Sequence, residues 1–178
     1  LTVHFIDVGQ ADAAVLQCGD DTMMIDGGNV ADSSLIVAYL KKLNIDNIDY
    51  MVCTHAHEDH VGGLSAPLSV MPVSAVYAPS AEDSKAYQNF KRKAADQNTE
   101  IMHPENYESF PFGSARVEIL ACPDNADNLN NTSIILKVTH KNKSFLFTGD
   151  AEREEEQTLL DRGLLKSDVL KVGHHGSD

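Results

Sequence analysis

An α/β layered domain, with helices covering sheets, is the fold class this sequence predicts, and three observations carry it. Strand-length apolar runs closed by Gly and Asp recur along the chain. Between them lie stretches whose apolar residues follow one face of a helix. No internal repeat, low-complexity tract or Pro/Gly/Ser-rich linker divides the 178 residues, so residues 1–178 read as one domain.

Residues 2–8 read as a strand, ended by Gly9. Residues 13–18 form a second, and the turn signal Gly19-Asp20-Asp21 joins it in a hairpin to residues 22–25. Asp26-Gly27-Gly28 stops that strand. Over residues 32–43, Leu35, Ile36, Tyr39, Leu40 and Leu43 have the spacing of one helical face, with Asp32 or Ser33 as N-cap. Residues 50–54 are a short apolar strand running straight into His-Ala-His-Glu-Asp-His, followed by Gly62-Gly63. Residues 73–77 are another strand. Residues 82–97 form a polar helix with Tyr87, Phe90 and Ala94 facing inward. A strand over 115–121 leads into a loop rich in Asp and Asn at 123–131. Residues 132–140 and 144–148 make a second hairpin around Lys141-Asn142, closed by Gly149-Asp150. An acidic helix over 151–161 and a last strand over 168–172 complete the pattern. Asp7, Asp26, His55, Asp150 and His174 all fall at predicted strand ends.

Composition narrows the function classes. Apolar residues make up 42% and charged residues 23%, which excludes a disordered tail or a fibre. No apolar run approaches the roughly 18 residues of a membrane helix, so no membrane segment is predicted. Fourteen basic residues against 27 acidic ones leave a net charge of −13, which repels polyanions and argues against a broad nucleic-acid platform. Lys85, Lys91, Arg92 and Lys93 are the one notable basic cluster and read as a solvated helix face. The three cysteines (Cys18, Cys53, Cys122) allow at most one disulfide, and Cys53, inside an apolar run, reads as a buried thiol. The chain opens at Leu1 without Met and closes at Asp178 just after His-His-Gly-Ser, so it is expected to be a piece of something longer, incomplete at its C-terminus. An extracytoplasmic or secreted location is favoured over a cytoplasmic one.

The chemistry concentrates in His55-Ala56-His57-Glu58-Asp59-His60. In extended chain, positions i and i+2 point the same way, so His55 and His57 can reach one ion. Asp59 and His60 follow after the chain bends and can hold a second ion from another side. Imidazole and carboxylate suit zinc, manganese or iron, and the lack of a nearby thiolate weighs against a structural zinc finger. With this composition the pattern HxHxDH arises by chance in roughly one chain in 700, so a scattering of unrelated histidines is the weaker reading. His174-His175 forms a second group, and Asp150 after Phe145-Leu146-Phe147-Thr148-Gly149 can bridge two ions.

These residues, in this order, resemble the metallo-β-lactamase superfamily. Phe5-Ile6-Asp7-Val8-Gly9-Gln10-Ala11-Asp12, Ile25-Asp26-Gly27-Gly28, Thr54 to His60 with Gly62-Gly63-Leu64, Asn131-Thr132-Ser133, Phe147-Thr148-Gly149-Asp150 and the run from Leu170 to Ser177 narrow the resemblance. Together they look like the hydrolase-like domain of the ComEC/Rec2 competence-protein group and its free-standing relatives. The resemblance implies a four-layer αβ/βα sandwich with two divalent metal ions, zinc or manganese, at one rim between the sheets. It implies one metal near His55 and His57 and a second near Asp59, His60 and a C-terminal histidine, with Asp150 bridging. His174 is favoured as that ligand because it comes first after the strand, which leaves His175 as proton donor or phosphate contact. Asp59 and Asp150 are candidate proton acceptors. Asp7 and Asp26 are expected behind the ligands, orienting a histidine or stabilising a turn, and Asp12 has the same two readings. Most relatives supply a further histidine to the first site from mid-chain. Here the matching position is Asn131, a possible first-site or substrate contact, with His103 and His140 as weaker alternatives.

The implied function is metal-dependent hydrolysis by activated water, most of all of phosphodiester bonds in a small-molecule or nucleic-acid substrate. Hydrolysis of a small ester, lactone or β-lactam is a second reading. A non-enzymatic binding or scaffold domain with a vestigial metal site is a third. No protein partner is implied.

Overall fold

The computed structural model describes residues 1–80, 84–124 and 128–177. Its strands form two sheets. In the first, β1 (Thr2–Phe5), β2 (Ala13–Cys18), β3 (Asp21–Gly27), β4 (Ile48–Val52), β5 (Val73–Tyr77) and β6 (Ile101–Met102) lie side by side in chain order. The first three pair antiparallel and the rest parallel. In the second, β7 (Ser109–Phe112), β8 (Ala115–Ala121), β9 (Ile135–His140) and β10 (Lys143–Phe147) pair antiparallel, and β11 (Val169–Lys171) adds parallel to β10.

The hairpins follow from their turns. Cys18 pairs with Asp21 across Gly19-Asp20, and Gly19 takes φ +67°, a conformation a Cβ disfavours. Strand β8 alternates as a half-buried strand should: Val117 and Ile119 are buried while Arg116 and Glu118 face outward. Strand β2 is buried almost throughout, as its unbroken apolar run requires.

Three apolar layers hold the sandwich together. Helices α1 (Ser33–Lys42) and α4 (Lys85–Asp96), with the short α2 (Glu58–Val61) and α3 (Pro67–Val70), cover the outer face of the first sheet. Their Ile36, Leu40, Tyr87, Phe90 and Ala94 pack on Val15, Met24, Met51 and Val76. Between the sheets, Leu16, Met23, Ile25, Val52, Phe112, Val117, Leu136 and Phe147 form the central layer. On the far side, α5 (Arg153–Asp161) sets Leu159 against Leu120, Ile135 and Leu146. This is the αβ/βα layering that the resemblance implies. Each fully buried Phe or Leu contributes roughly 1.5–3 kcal/mol.

Departures from the sequence reading are local. The first strand stops at Phe5 rather than residue 8, although Ile6 still donates to the Ala13 carbonyl at 2.9 Å. Leu35 is 42% exposed, because Ile36 and Leu40 occupy the buried stripe of α1. Strands β6 and β7 are additional to the sequence reading. β6 is only two residues long, and β7 contains Pro111, tolerated because β7 is an edge strand. The predicted start of α4 at Glu82 and part of the loop over 123–131 lie outside the described residues. Within them, Ser84 Oγ accepts the Tyr87 amide and caps α4.

Candidate metal centre

Both sheets send strand ends to one rim. From the first sheet, β3 ends at Asp26, and β4 runs on through Thr54 and His55 into α2, which carries Asp59 and His60. From the second, β10 leads into Gly149-Asp150, and β11 leads through Val172 into a tight turn, Gly173–Gly176. The Ile134 amide donates to the Thr54 carbonyl at 2.9 Å and ties the two rims together.

The paired glycines are contact points between backbones. The Gly63 amide donates to the Gly28 carbonyl at 3.0 Å. A Cβ on Gly63 would lie 2.0 Å from the Gly27 carbonyl oxygen, and one on Gly62 2.4 Å from the Val30 nitrogen. Only glycine lets the turn after α2 sit this close to the end of β3, and that approach sets His60 against Asp26.

Asp26 is fully enclosed. Its Oδ1 accepts the Thr54 amide at 2.8 Å, and its Oδ2 accepts the Thr54 hydroxyl at 2.7 Å and His60 Nδ1 at 2.9 Å. In the neutral ring, donation from Nδ1 to Asp26 leaves the lone pair of His60 on Nε2. That Nε2 lies 3.0 Å from Asp150 Oδ1, and both atoms are buried without a hydrogen-bond partner. An acceptor nitrogen and a carboxylate oxygen buried face to face are the donor set a divalent cation requires, so the residues present fit such an ion.

The other groups close around this point. His55 Nε2 lies 3.8 Å from Asp150 Oδ2 and 3.1 Å from His57 Nδ1. His175 Nε2 lies 3.2 Å from Asp59 Oδ2 and 3.5 Å from Asp150 Oδ2, and its Nδ1 is 3.6 Å from Asp12 Oδ1. One ligand atom each from Asp12, His60, Asp150 and His175 falls within 4.8 Å of all the others. Lys171 reaches the same place, in contact with the Asp12 carboxylate and 2.8 Å from the Gly149 carbonyl.

Proton affinities reflect the crowding. Burial alone would lower His60, but in the metal-free cluster Asp26 and Asp150 outweigh it and push its pKa up to about 10, so a cation must displace the Nε2 proton to bind there. Burial and the neighbouring His60 push His55 down to about 3, so its nitrogens stay neutral. Burial opposes ionisation of Asp26 and Asp150, yet His60 beside them holds both below the usual carboxylate range. Burial raises Asp12 in spite of Lys171.

Of the residues the sequence singles out, His55, His57, Asp59, His60, Asp150 and Asp26 come together. The choice between the terminal histidines reverses. His175 enters the cluster, whereas His174 lines a cleft with Glu152, Arg153 and Glu156. Both take left-handed backbone conformations, φ +46° and +53°, and this turn, rather than order after the strand, decides which ring faces Asp59. Asp7 is exposed and accepts the Gly9 amide at 3.2 Å, so it serves the turn and not a ligand. The Asn131 amide oxygen accepts the Glu152 amide at 2.9 Å and braces the start of α5. His103 is held elsewhere by Asp124, at 2.6 Å, and by the Ser80 amide, and His140 by Ser114. Lys171 is the participant sequence reasoning misses. Its one signal is a lysine in the apolar run Val169-Leu170-Lys171-Val172 ahead of Gly-His-His.

Comparison with known proteins agrees with this fold. The chain is 32% identical over 186 residues to recombination protein 2 of Haemophilus influenzae, covering 98% of this chain and 21% of that protein. It is 28% identical over 201 residues to ComE operon protein 3 of Bacillus subtilis, covering 98% of this chain and 25% of that protein. The chain therefore spans about a quarter or less of the length of these relatives. Among solved structures, a B3 metallo-β-lactamase with an active-site glutamic acid superposes with a TM-score of 0.70 over 98% of this chain and 76% of that one, at 17% identity, a likeness of fold. Residues 6–178 match the sequence profile of the metallo-β-lactamase superfamily, and the chain belongs to that family.

Proposed function

We propose that this chain is a metal-dependent hydrolase of phosphodiester bonds, of nuclease or phosphodiesterase type. The observation that carries the reading is the buried approach of His60 Nε2 to Asp150 Oδ1, 3.0 Å apart and with no other hydrogen-bond partner for either atom among the described residues, at the centre of a ring of imidazoles and carboxylates. Two divalent cations, zinc or manganese, would be held by His55 and His57 on one side, by Asp59, His60 and His175 on the other, and by Asp150 in common. Such cations, when bound, would supply a nucleophilic water near neutral pH and stabilise charge developing on the substrate.

The chain's own groups supply orientation and proton handling. Asp26 fixes the ring of His60, and Thr54 fixes Asp26. Asp59 is the carboxylate most open to solvent in the cluster and is the proton acceptor of choice. With His175 assigned as a ligand, the proton-donor role the sequence offers it falls away.

The substrate class rests on the relatives, whose names associate them with competence and recombination. The four carboxylates Asp12, Asp26, Asp59 and Asp150 outnumber Lys171 and the His60 imidazolium, so without cations this pocket disfavours phosphate, and the −13 charge provides no wide basic track. One observation favours a non-catalytic binding role instead: the position of a further first-site histidine is Asn131, already committed to Glu152.

A panel of aryl phosphodiester, lactone and cephalosporin substrates, offered to the zinc- and manganese-loaded protein, tests the proposal. Turnover of the phosphodiester, abolished in His57→Ala and in Asp59→Ala, is expected. Unchanged turnover in either variant refutes the metal mechanism, and no turnover of any substrate by a loaded protein favours the binding role.

A further inference from the structure

We propose that Lys171 is a positioning residue that acts through Asp12: it holds the Asp12 carboxylate behind His175, so that the ring presents Nε2 to Asp59 and Asp150. The inference rests on the reading of the cluster as a cation site.

Lys171 ends an otherwise apolar edge strand, and its side chain is only 13% exposed. A buried ammonium is costly unless ion-paired and hydrogen-bonded. Here it touches the Asp12 carboxylate, donates to the Gly149 carbonyl at 2.8 Å, and lies 3.8 Å from Asp150 Oδ1. The two closest oxygens come from different sheets: Asp12 from the loop between β1 and β2, Gly149 from the end of β10.

Asp12 is pinned along its backbone as well. Its amide donates to the Asp59 carbonyl at 3.1 Å, and its carbonyl accepts the Gly28 amide at 2.7 Å. One carboxylate oxygen is taken by Lys171 and the other faces His175 Nδ1 at 3.6 Å. Asp26 stands to His60 in the same relation, oxygen to Nδ1, at 2.9 Å. The cluster thus contains two carboxylate–imidazole pairs whose Nε2 atoms both face Asp150, at 3.0 and 3.5 Å. The first pair is locked by Thr54. In the second, among the described residues, Lys171 is in contact with the carboxylate and His60 Nδ1 stands farther off, 3.7 Å from the same oxygen. Such outer partners fix ring orientation and raise ligand basicity. The rival role, direct action of Lys171 on Asp150, has the longer distance.

Zinc(II) alone is the probe, its affinity read by chelator competition on the full chain, with urea unfolding of the metal-free protein alongside. Lys171→Met and Asp12→Asn are each expected to weaken zinc binding by about 10- to 100-fold. Because the lysine acts through the carboxylate, the double variant is expected to fall within about twofold of the weaker single variant. Lys171→Arg is expected to recover most of the loss, which a role in filling space alone would not produce. Asp12→Asn keeps the lysine and the side-chain shape, and carries the test if Lys171→Met fails to fold. Wild-type zinc affinity in Asp12→Asn or in a folded Lys171→Met overturns the proposal, as do losses that multiply in the double variant. A wild-type chain that binds no zinc overturns both this inference and the cation-site reading beneath it; wild-type binding with indifferent variants overturns this one alone.

Discussion

Replacing Gly63 by alanine adds one methyl group far from any reacting atom, yet it strikes the part of the fold that brings His60 to Asp26. The new Cβ would lie 2.0 Å from the Gly27 carbonyl oxygen, whereas ordinary contact begins at 3.4 Å. Both sides of the clash are backbone, so no side chain can swing away, and the two segments must part by more than about 1 Å. Gly27 follows Asp26 directly and Gly63 lies three residues after His60, so the same displacement stretches their 2.9 Å bond beyond hydrogen-bond range. Overpacking costs about 1–3 kcal/mol, and loss of a charged hydrogen bond about 1.5–3 kcal/mol more. A ligand misplaced by about 1 Å costs roughly 100-fold in turnover. Urea unfolding, zinc competition and phosphodiester turnover read the three effects. Gly163→Ala is the control: nothing lies within 4 Å of its Cβ and only its φ of +69° resists the change, so about 1–2 kcal/mol of stability is lost and zinc binding is untouched. A Gly63→Ala protein with wild-type unfolding midpoint and zinc affinity refutes this reasoning.

Other consequences are equally direct. Asp26→Asn removes the charged acceptor of His60 Nδ1–H and is expected to weaken zinc binding by about 10- to 100-fold; an unaltered competition curve counts against the orienting role. Stripping cations with a chelator is expected to lower the thermal midpoint, and restoring zinc to raise it by several degrees, since ligand binding to the folded state alone is stabilising. The metal-free protein is expected to be most stable near pH 6.5. His60, raised to about 10, contributes stability that is full below 6.5 and lost as pH rises toward 10, whereas His55, lowered to about 3, and the depressed Asp26 and Asp150 remove stability on acidification. An unfolding midpoint that is flat from pH 6.5 to 9 contradicts the His60 assignment. Phe112→Ala, in the layer between the sheets, is expected to cost about 3–5 kcal/mol while leaving zinc affinity within twofold in the folded protein, and a loss of zinc binding at equal fold would overturn the separation of core from site.

Much of this arrangement is legible in the residues, for identifiable reasons. The β2–β3 and β9–β10 hairpins can be read because their turns carry Gly19-Asp20 and Lys141-Asn142 between long apolar runs. Helix α4 can be read because Tyr87, Phe90 and Ala94 keep helical spacing through a polar stretch. The cluster at His55 to His60 is visible because its donors are close in sequence. What escapes depends on contacts between distant segments. Nothing local in Val169-Leu170-Lys171 says that the lysine meets Asp12, 159 positions away. The choice between His174 and His175 depends on two left-handed residues, which favour neither ring from sequence alone. Asp7 and Asp26 look alike beside their glycines, and only the packing of Gly27 on Gly63 buries one and leaves the other in solvent.

The central claim, that these side chains grip divalent cations, is tested most directly by elemental analysis of the purified chain after zinc or manganese loading and removal of free ion, in wild type and in Asp150→Ala. Two ions per wild-type chain, with occupancy of both sites lost in the variant because Asp150 lies between them, is the expected result. No retained ion in the wild type, or equal retention in Asp150→Ala, contradicts it.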